Sequence, residues 1–155
     1  NQMKLEKGDV FKIKTKLGYG FIQYYETDHL EIEQIRVLEI ISKNEEVNQE
    51  LINTKERWCT GFPVKAAARK KIITKVGTFK IPKKFKNYKF AREEHYIRNE
   101  FKGWFIINKE TLKRKLIKKL KKRHLKFSPH GIMNDTIIIE MLEENWKLEN
   151  WNKKK

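Results

Sequence analysis

The first third of the chain carries three successive strand-length runs, and they constrain its fold more than any other feature. In residues 10–16, Val10, Lys12, Lys14 and Lys16 alternate with Phe11, Ile13 and Thr15, which is the period of a strand with one wet and one buried face. Leu17-Gly18 turns the chain into residues 19–26, rich in aromatic and β-branched side chains, where Gly20 predicts a bulge or a close backbone approach. After Thr27-Asp28-His29, residues 30–41 hold Ile32, Ile35, Val37, Leu38, Ile40 and Ile41 in an alternation that changes phase near Gln34, so this strand should bend. Three consecutive curved antiparallel strands predict a small curved sheet or a partly open barrel.

The remainder is mixed. Residues 42–56 are polar and acidic, a loop or one short helix, and a further strand is expected within residues 58–75. The extended piece Val76-Gly77-Thr78-Phe79-Lys80-Ile81 ends at Pro82, which cannot donate to a ladder. Residues 83–102 read as a basic and aromatic connection, followed by a strand at Gly103-Trp104-Phe105-Ile106-Ile107. Asn108 resembles a helix N-cap, with Glu110 in the first turn, and Leu112, Leu116, Ile117 and Leu120 fall at helical spacing among lysines and arginines. Ser128-Pro129-His130-Gly131 breaks that helix, and Asn134-Asp135 caps a second one running to Trp146 with Ile137, Ile138, Met141 and Leu142 inward. The expectation is an α+β chain, β-rich, with two C-terminal helices, forming a single domain over residues 3–152. Met3 is the more natural start, so Asn1 and Gln2 are read as cloning residue, and the final lysines as frayed.

Charge is distributed unevenly along this frame. Residues 65–126 carry twenty-three Lys and Arg against four Glu, whereas residues 1–62 carry nine basic and eleven acidic side chains. With 39% hydrophobic and 12% aromatic residues the chain has the means to fold in spite of a formal net charge of +16. A cationic region attracts acidic partners, but Lys outnumbers Arg 29 to 7, so a solvated Lys-rich surface explains the charge equally well. Cys59 is the only cysteine, which rules out an intramolecular disulfide, and packing beside Trp58 suits it better than catalysis. No apolar run matches a signal peptide or a membrane span, and a cytoplasmic protein is expected.

Chemistry-bearing constellations are scarce. His29, His95, His124 and His130 are scattered at spacings that no zinc site uses, and Glu93-Glu94-His95 are neighbours on one segment, where side chains usually diverge. Gly18-Tyr19-Gly20 sits in a hairpin turn, without the strand-to-helix context of a phosphate cradle. No enzyme, metal or cofactor is expected. The candidate binding residues are Lys113, Lys115, Lys118, Lys119, Lys122 and Arg123 on the cationic helix, supported by Lys83, Lys84 and Tyr88 in the basic and aromatic connection.

Taken in order, several motifs resemble the bacterial immunity protein 26 family. They are Gly8-Asp9-Val10-Phe11, Tyr19-Gly20-Phe21-Ile22-Gln23, Arg36-Val37-Leu38, and Gly77-Thr78-Phe79-Lys80-Ile81-Pro82 followed by Phe85; Trp104, Gly131-Ile132, Asn134-Asp135 and Trp146 extend the match over nearly the whole chain. The resemblance implies a β-rich protein encoded beside a polymorphic toxin, which it neutralises by direct binding in the cytoplasm of the producing cell. It implies no catalytic residue. The strongly cationic segment departs from the pattern, and because a positive inhibitor is poorly matched to a nuclease groove, an acidic toxin surface is the expected partner. The competing expectation is a module that binds or sequesters nucleic acid or an anionic nucleotide, encoded by a phage or plasmid.

Overall fold

A computed structural model describes residues 3–152; the two residues read as cloning residue and the terminal lysines lie outside the described residues. The chain forms two compact units, each assembled from two separate stretches: residues 3–85 with 132–146, and residues 86–131 with 147–152.

The first unit is built on a five-stranded antiparallel sheet ordered β4-β3-β2-β1-β5, with β1 Asp9–Thr15, β2 Gly18–Thr27, β3 Glu33–Ser42, β4 Trp58–Gly61 and β5 Ile73–Thr78. The hairpin and the third strand form where the alternation predicts. Register shifts lie between Gly20 and Ile22 and between Tyr24 and Glu26, beside the glycine and the phase change that forecast a bend. At Gly20 a Cβ would stand 2.6 Å from a methyl of Leu142, so the missing side chain is what admits the C-terminal helix. The sheet stays open, because β4 and β5 are separate edges with no pairing to each other; the barrel is corrected to an open curved sheet.

Both faces of this sheet are covered, which the alternation alone did not predict. Val10, Phe21 and Leu38 pack with Ile52 of α1 (Gln49–Ile52), flanked by Tyr19, Val47 and Phe79. Phe11, Ile13, Ile22, Ile35, Val37 and Trp58 are buried on the opposite face, as are Val64 and Ala67 of α2 (Val64–Arg69) and Ile138 and Leu142 of α3 (Asp135–Glu143). Asn134 caps α3 through its side chain, accepting from the Ile137 amide at 2.9 Å, as expected; the helix ends at Glu143 rather than Trp146, whose ring lies edge-on to Trp58. Tyr24 and Tyr25 belong to the core, with Tyr24 bonded to Thr27 at 2.7 Å and Tyr25 against Phe85.

A polar network runs through the middle of the first unit. Arg36 is wholly buried; its guanidinium donates to Glu56 at 2.7 Å, to the Thr54 and Ile52 carbonyls at 2.9 and 3.2 Å, and to the Gln23 side-chain oxygen. The Gln23 amide in turn donates to the carbonyls of Gly8 and Phe79 at 3.2 and 3.1 Å, and Phe85 lies under the guanidinium. One side chain therefore ties β3 to β2, to the end of α1 and to the segment that follows α1.

The second unit is a three-stranded antiparallel sheet ordered β6-β7-β8, with β6 Phe90–Ile97, β7 Glu100–Asn108 and β8 Arg114–Ile117. Two sequence expectations are corrected here. The connection at residues 83–102 contains β6, whose polar residues on both faces conceal its period, and whose turn to β7 uses Arg98 and Asn99 at positive φ. The cationic helix of residues 108–126 does not exist: Asn108 accepts from the amides of Glu110 and Thr111, Leu112 takes φ 66°, and the chain returns as β8. A helix would have stacked like charges three and four residues apart with no acid beyond Glu110 to relieve them, whereas a strand sends them to alternate faces.

Replacing Arg36 with Leu removes a buried charge from Glu56 and strands two carbonyls and the Gln23 amide oxygen. A loss of roughly 3 to 5 kcal/mol is expected, read as a lowered denaturant midpoint with an unchanged slope.

Candidate partner-binding surface

Charge segregates by unit. The described part of the second unit carries sixteen Lys and Arg against five Asp and Glu, while the described part of the first carries seventeen against fifteen. Within the second unit the excess concentrates in residues 113–123, which hold eight cations and no carboxylate. Arg114 alone of these is committed, to Glu93 at 2.9 Å and over the Phe105 ring. Lys113, Lys115, Lys118, Lys119, Lys122 and Arg123 are exposed, and none makes an ion pair among the described residues.

The strand and its sequel set their placement. Lys113 closes the β7–β8 turn, Lys115 lies on β8, Lys118 and Lys119 leave the strand, and Lys122 and Arg123 occupy a 3-10 turn, Lys122–His124. The six expected contacts thus come from one continuous stretch, though on a strand and a turn rather than a helix. Lys83 and Lys84 are exposed after Pro82 in the first unit. Tyr88 is half-buried in the second, edge-on to Phe127 with the Lys126 ammonium 5.0 Å from its ring. Phe90 also packs on Phe127 but stays exposed, as does Tyr96.

Two residues that sequence reasoning missed organise this unit. Arg92, on β6, is completely buried; it donates to the carbonyls of Phe127, Trp151, Leu148 and Leu125 at 2.9, 2.5, 3.0 and 3.2 Å. The rings of Trp104 and Trp151 flank it, their centroids 5.1 and 4.3 Å away. Burial lowers its pKa to about 10, with Glu94 opposing the shift, so the group stays charged at neutral pH. Nothing in the sequence separates Arg92 from the surface cations around it.

His124 is buried beneath the cationic stretch. Its Nδ1 accepts from the Lys121 amide at 2.8 Å, which places the ring proton on Nε2. Burial lowers its pKa, and Arg123, Lys121, Arg92 and Lys115 lower it further. These four cations all lie near enough to the imidazole to disfavour its protonation. Cys59 is half-buried across from Arg36 and not fully enclosed beside Trp58.

Among the described residues no group of three or more His, Cys, Asp or Glu could hold a metal ion, and no helix is long and apolar enough to cross a membrane. Compared with known proteins, the chain matches no protein-family model, no curated protein and no solved structure.

The His124 ring should titrate below its ordinary value of 6.5 in the folded protein, as followed by the imidazole proton resonances. Since the unfolded chain then takes up the proton first, stability is complete above the unfolded pKa and falls as pH drops through it, until the folded site is protonated too. Replacing His124 with Gln should flatten that part of the stability profile; an unchanged slope there would contradict the assignment.

Proposed function

We propose that this chain is an immunity protein of the immunity protein 26 type, which neutralises a cognate toxin in the cytoplasm by direct binding and holds an acidic surface of that toxin through residues 113–123. The observation that carries the reading is the set of seven cations in that stretch, Lys121 included, that lack any carboxylate partner among the described residues. A merely solubilising surface intersperses both signs, whereas an unbroken single-sign stretch creates a field that steers an oppositely charged protein. Support for the family comes from the positions of the shared motifs. Asp9, Gln23, Arg36 and Phe85 are structural centres of the first unit, with Asp9 buried and bonded to Thr78 at 2.6 Å and Lys75 at 3.1 Å.

The nucleic-acid reading is the weaker because fewer rings are exposed than the basic and aromatic segment suggests. Single-strand recognition uses ring faces for stacking, and Phe85 and Tyr88 are half-buried against Tyr25 and Phe127, which leaves Phe90, packed on Phe127 yet exposed, and Tyr96.

The test is retention of the adjacent gene's product by the purified protein. A variant with Lys113, Lys115, Lys118 and Lys119 changed to Glu should bind at least about tenfold more weakly, roughly 1.4 kcal/mol, with the loss in wild-type binding growing as salt is raised. Equal retention by both proteins at low salt would sink the proposal. Tight RNA or DNA binding that falls steeply with salt would transfer the surface to the other reading.

A further inference from the structure

The cationic stretch is also the free edge of a sheet. β8 pairs with β7 on one side, and no strand or loop bonds to its other side among the described residues. The Asn108 amide donates to the Lys113 carbonyl at 2.9 Å, and in an antiparallel ladder bonded pairs alternate, so the bonded pairs that follow are Ile106 with Lys115 and Trp104 with Ile117. The amides and carbonyls of Arg114 and Leu116 therefore face outward, two residues apart, as a strand partner requires. The opposite edge of the same sheet is covered at its middle: Arg92 donates its amide to Ser128 and accepts from His130, each at 3.0 Å. In the five-stranded sheet the β5 edge offers no comparable charge, since Lys75 is bound to buried Asp9.

Charge selects the occupant. A second copy adding edge to edge would bring Arg114 and Lys115 against their own equivalents, and like charges facing across strands are destabilising. Lysine on an edge strand guards against that association. An acidic extended segment meets the opposite situation, with carboxylates placed along a strand whose neighbours Lys113, Lys115, Lys118 and Lys119 are unpaired.

We infer that β8 receives an acidic, extended segment of the partner protein as a fourth strand, bonded to the outward backbone groups of Arg114 and Leu116. The inference rests on the binding role proposed above and specifies its geometry. Charge reversal cannot test it, because charge alone would also be lost. Leu116→Pro can: it removes an outward N–H, leaves the bonds to β7 and every charge in place, and proline is tolerated at such edge positions. Leu116→Ala controls for the side chain.

The probes are a peptide of alternating Glu and Val and one of alternating Glu and Pro with equal charge, titrated against the full chain by amide NMR. The expected result is that the Glu-Val peptide binds roughly tenfold tighter than the Glu-Pro peptide, protects the Arg114 and Leu116 amides from exchange, and loses that advantage with Leu116→Pro but not with Leu116→Ala. Equal binding of the two peptides to wild type, or no binding of either, overturns strand addition whether or not the proline variant folds. With the adjacent gene's product, full retention by a folded Leu116→Pro variant together with loss on charge reversal overturns strand addition alone. Full retention by both variants overturns the binding role as well.

Discussion

One fully buried guanidinium stands at the centre of each unit, and the rest of the architecture is arranged around it. Arg36 and Arg92 solve the same problem differently. Arg36 has an acid, Glu56, and shares its remaining donors among an amide and two carbonyls, whereas Arg92 has four carbonyls and two indole faces and, among the described residues, no ion pair. An arginine suits both places because its donors fan out in one plane, so that carbonyls from several chain segments can be bound at once. The carbonyls at residues 125, 127 and 151 lie outside regular helices and strands, where burial without donors is costly, and that of Leu148 opens a short 3-10 turn and also accepts from the Trp151 amide at 3.1 Å. Arg92 supplies those donors, and so holds the stretch at residues 147–152 in the second unit.

Burying one cation there makes the others matter more. Arg92 and His124 occupy the same unit as the exposed run at residues 113–123, and burial lowers the pKa of both groups, helped at His124 by its cationic neighbours. The rings have been used for packing and the cations left out. Tyr88, Phe90 and Phe127 form one cluster and Trp104 and Trp151 another, while Lys118, Lys119, Lys121 and Lys122 after β8 are exposed. A surface made in this way offers charge and an open strand edge, and those are properties that an acidic protein segment can use more fully than a stack of bases can.

Much of the first unit was legible because its strands obey simple patterns. Val10 to Thr15 alternates, Gly20 marks its bend, and Asn134 caps α3 with the bond that its position forecast. The second unit was harder for a specific reason. In β6, Arg92 and Glu94 share a face with the core indole of Trp104, while Glu93 and His95 line the other, so neither face reads as apolar. Asn108 reads as a helix N-cap and is not one: an Asx turn and a helix cap make the same bonds, and the φ of Leu112 is what separates them. The candidate lysines are exposed on the strand and turn, as they would have been on a helix.

By itself the sequence determined the antiparallel hairpin with its third strand, the capped C-terminal helix, and the concentration of cations in the later half of the chain. These are local or additive properties, carried by alternation, capping chemistry and composition. Tertiary structure alone decided that Arg36 and Arg92 are interior, that Tyr88 packs on Phe127, and that the run of cations begins on a strand edge with no partner among the described residues. Each of those outcomes depends on which carbonyls, rings and strands approach from distant parts of the chain, and no short stretch of residues specifies its own distant neighbours.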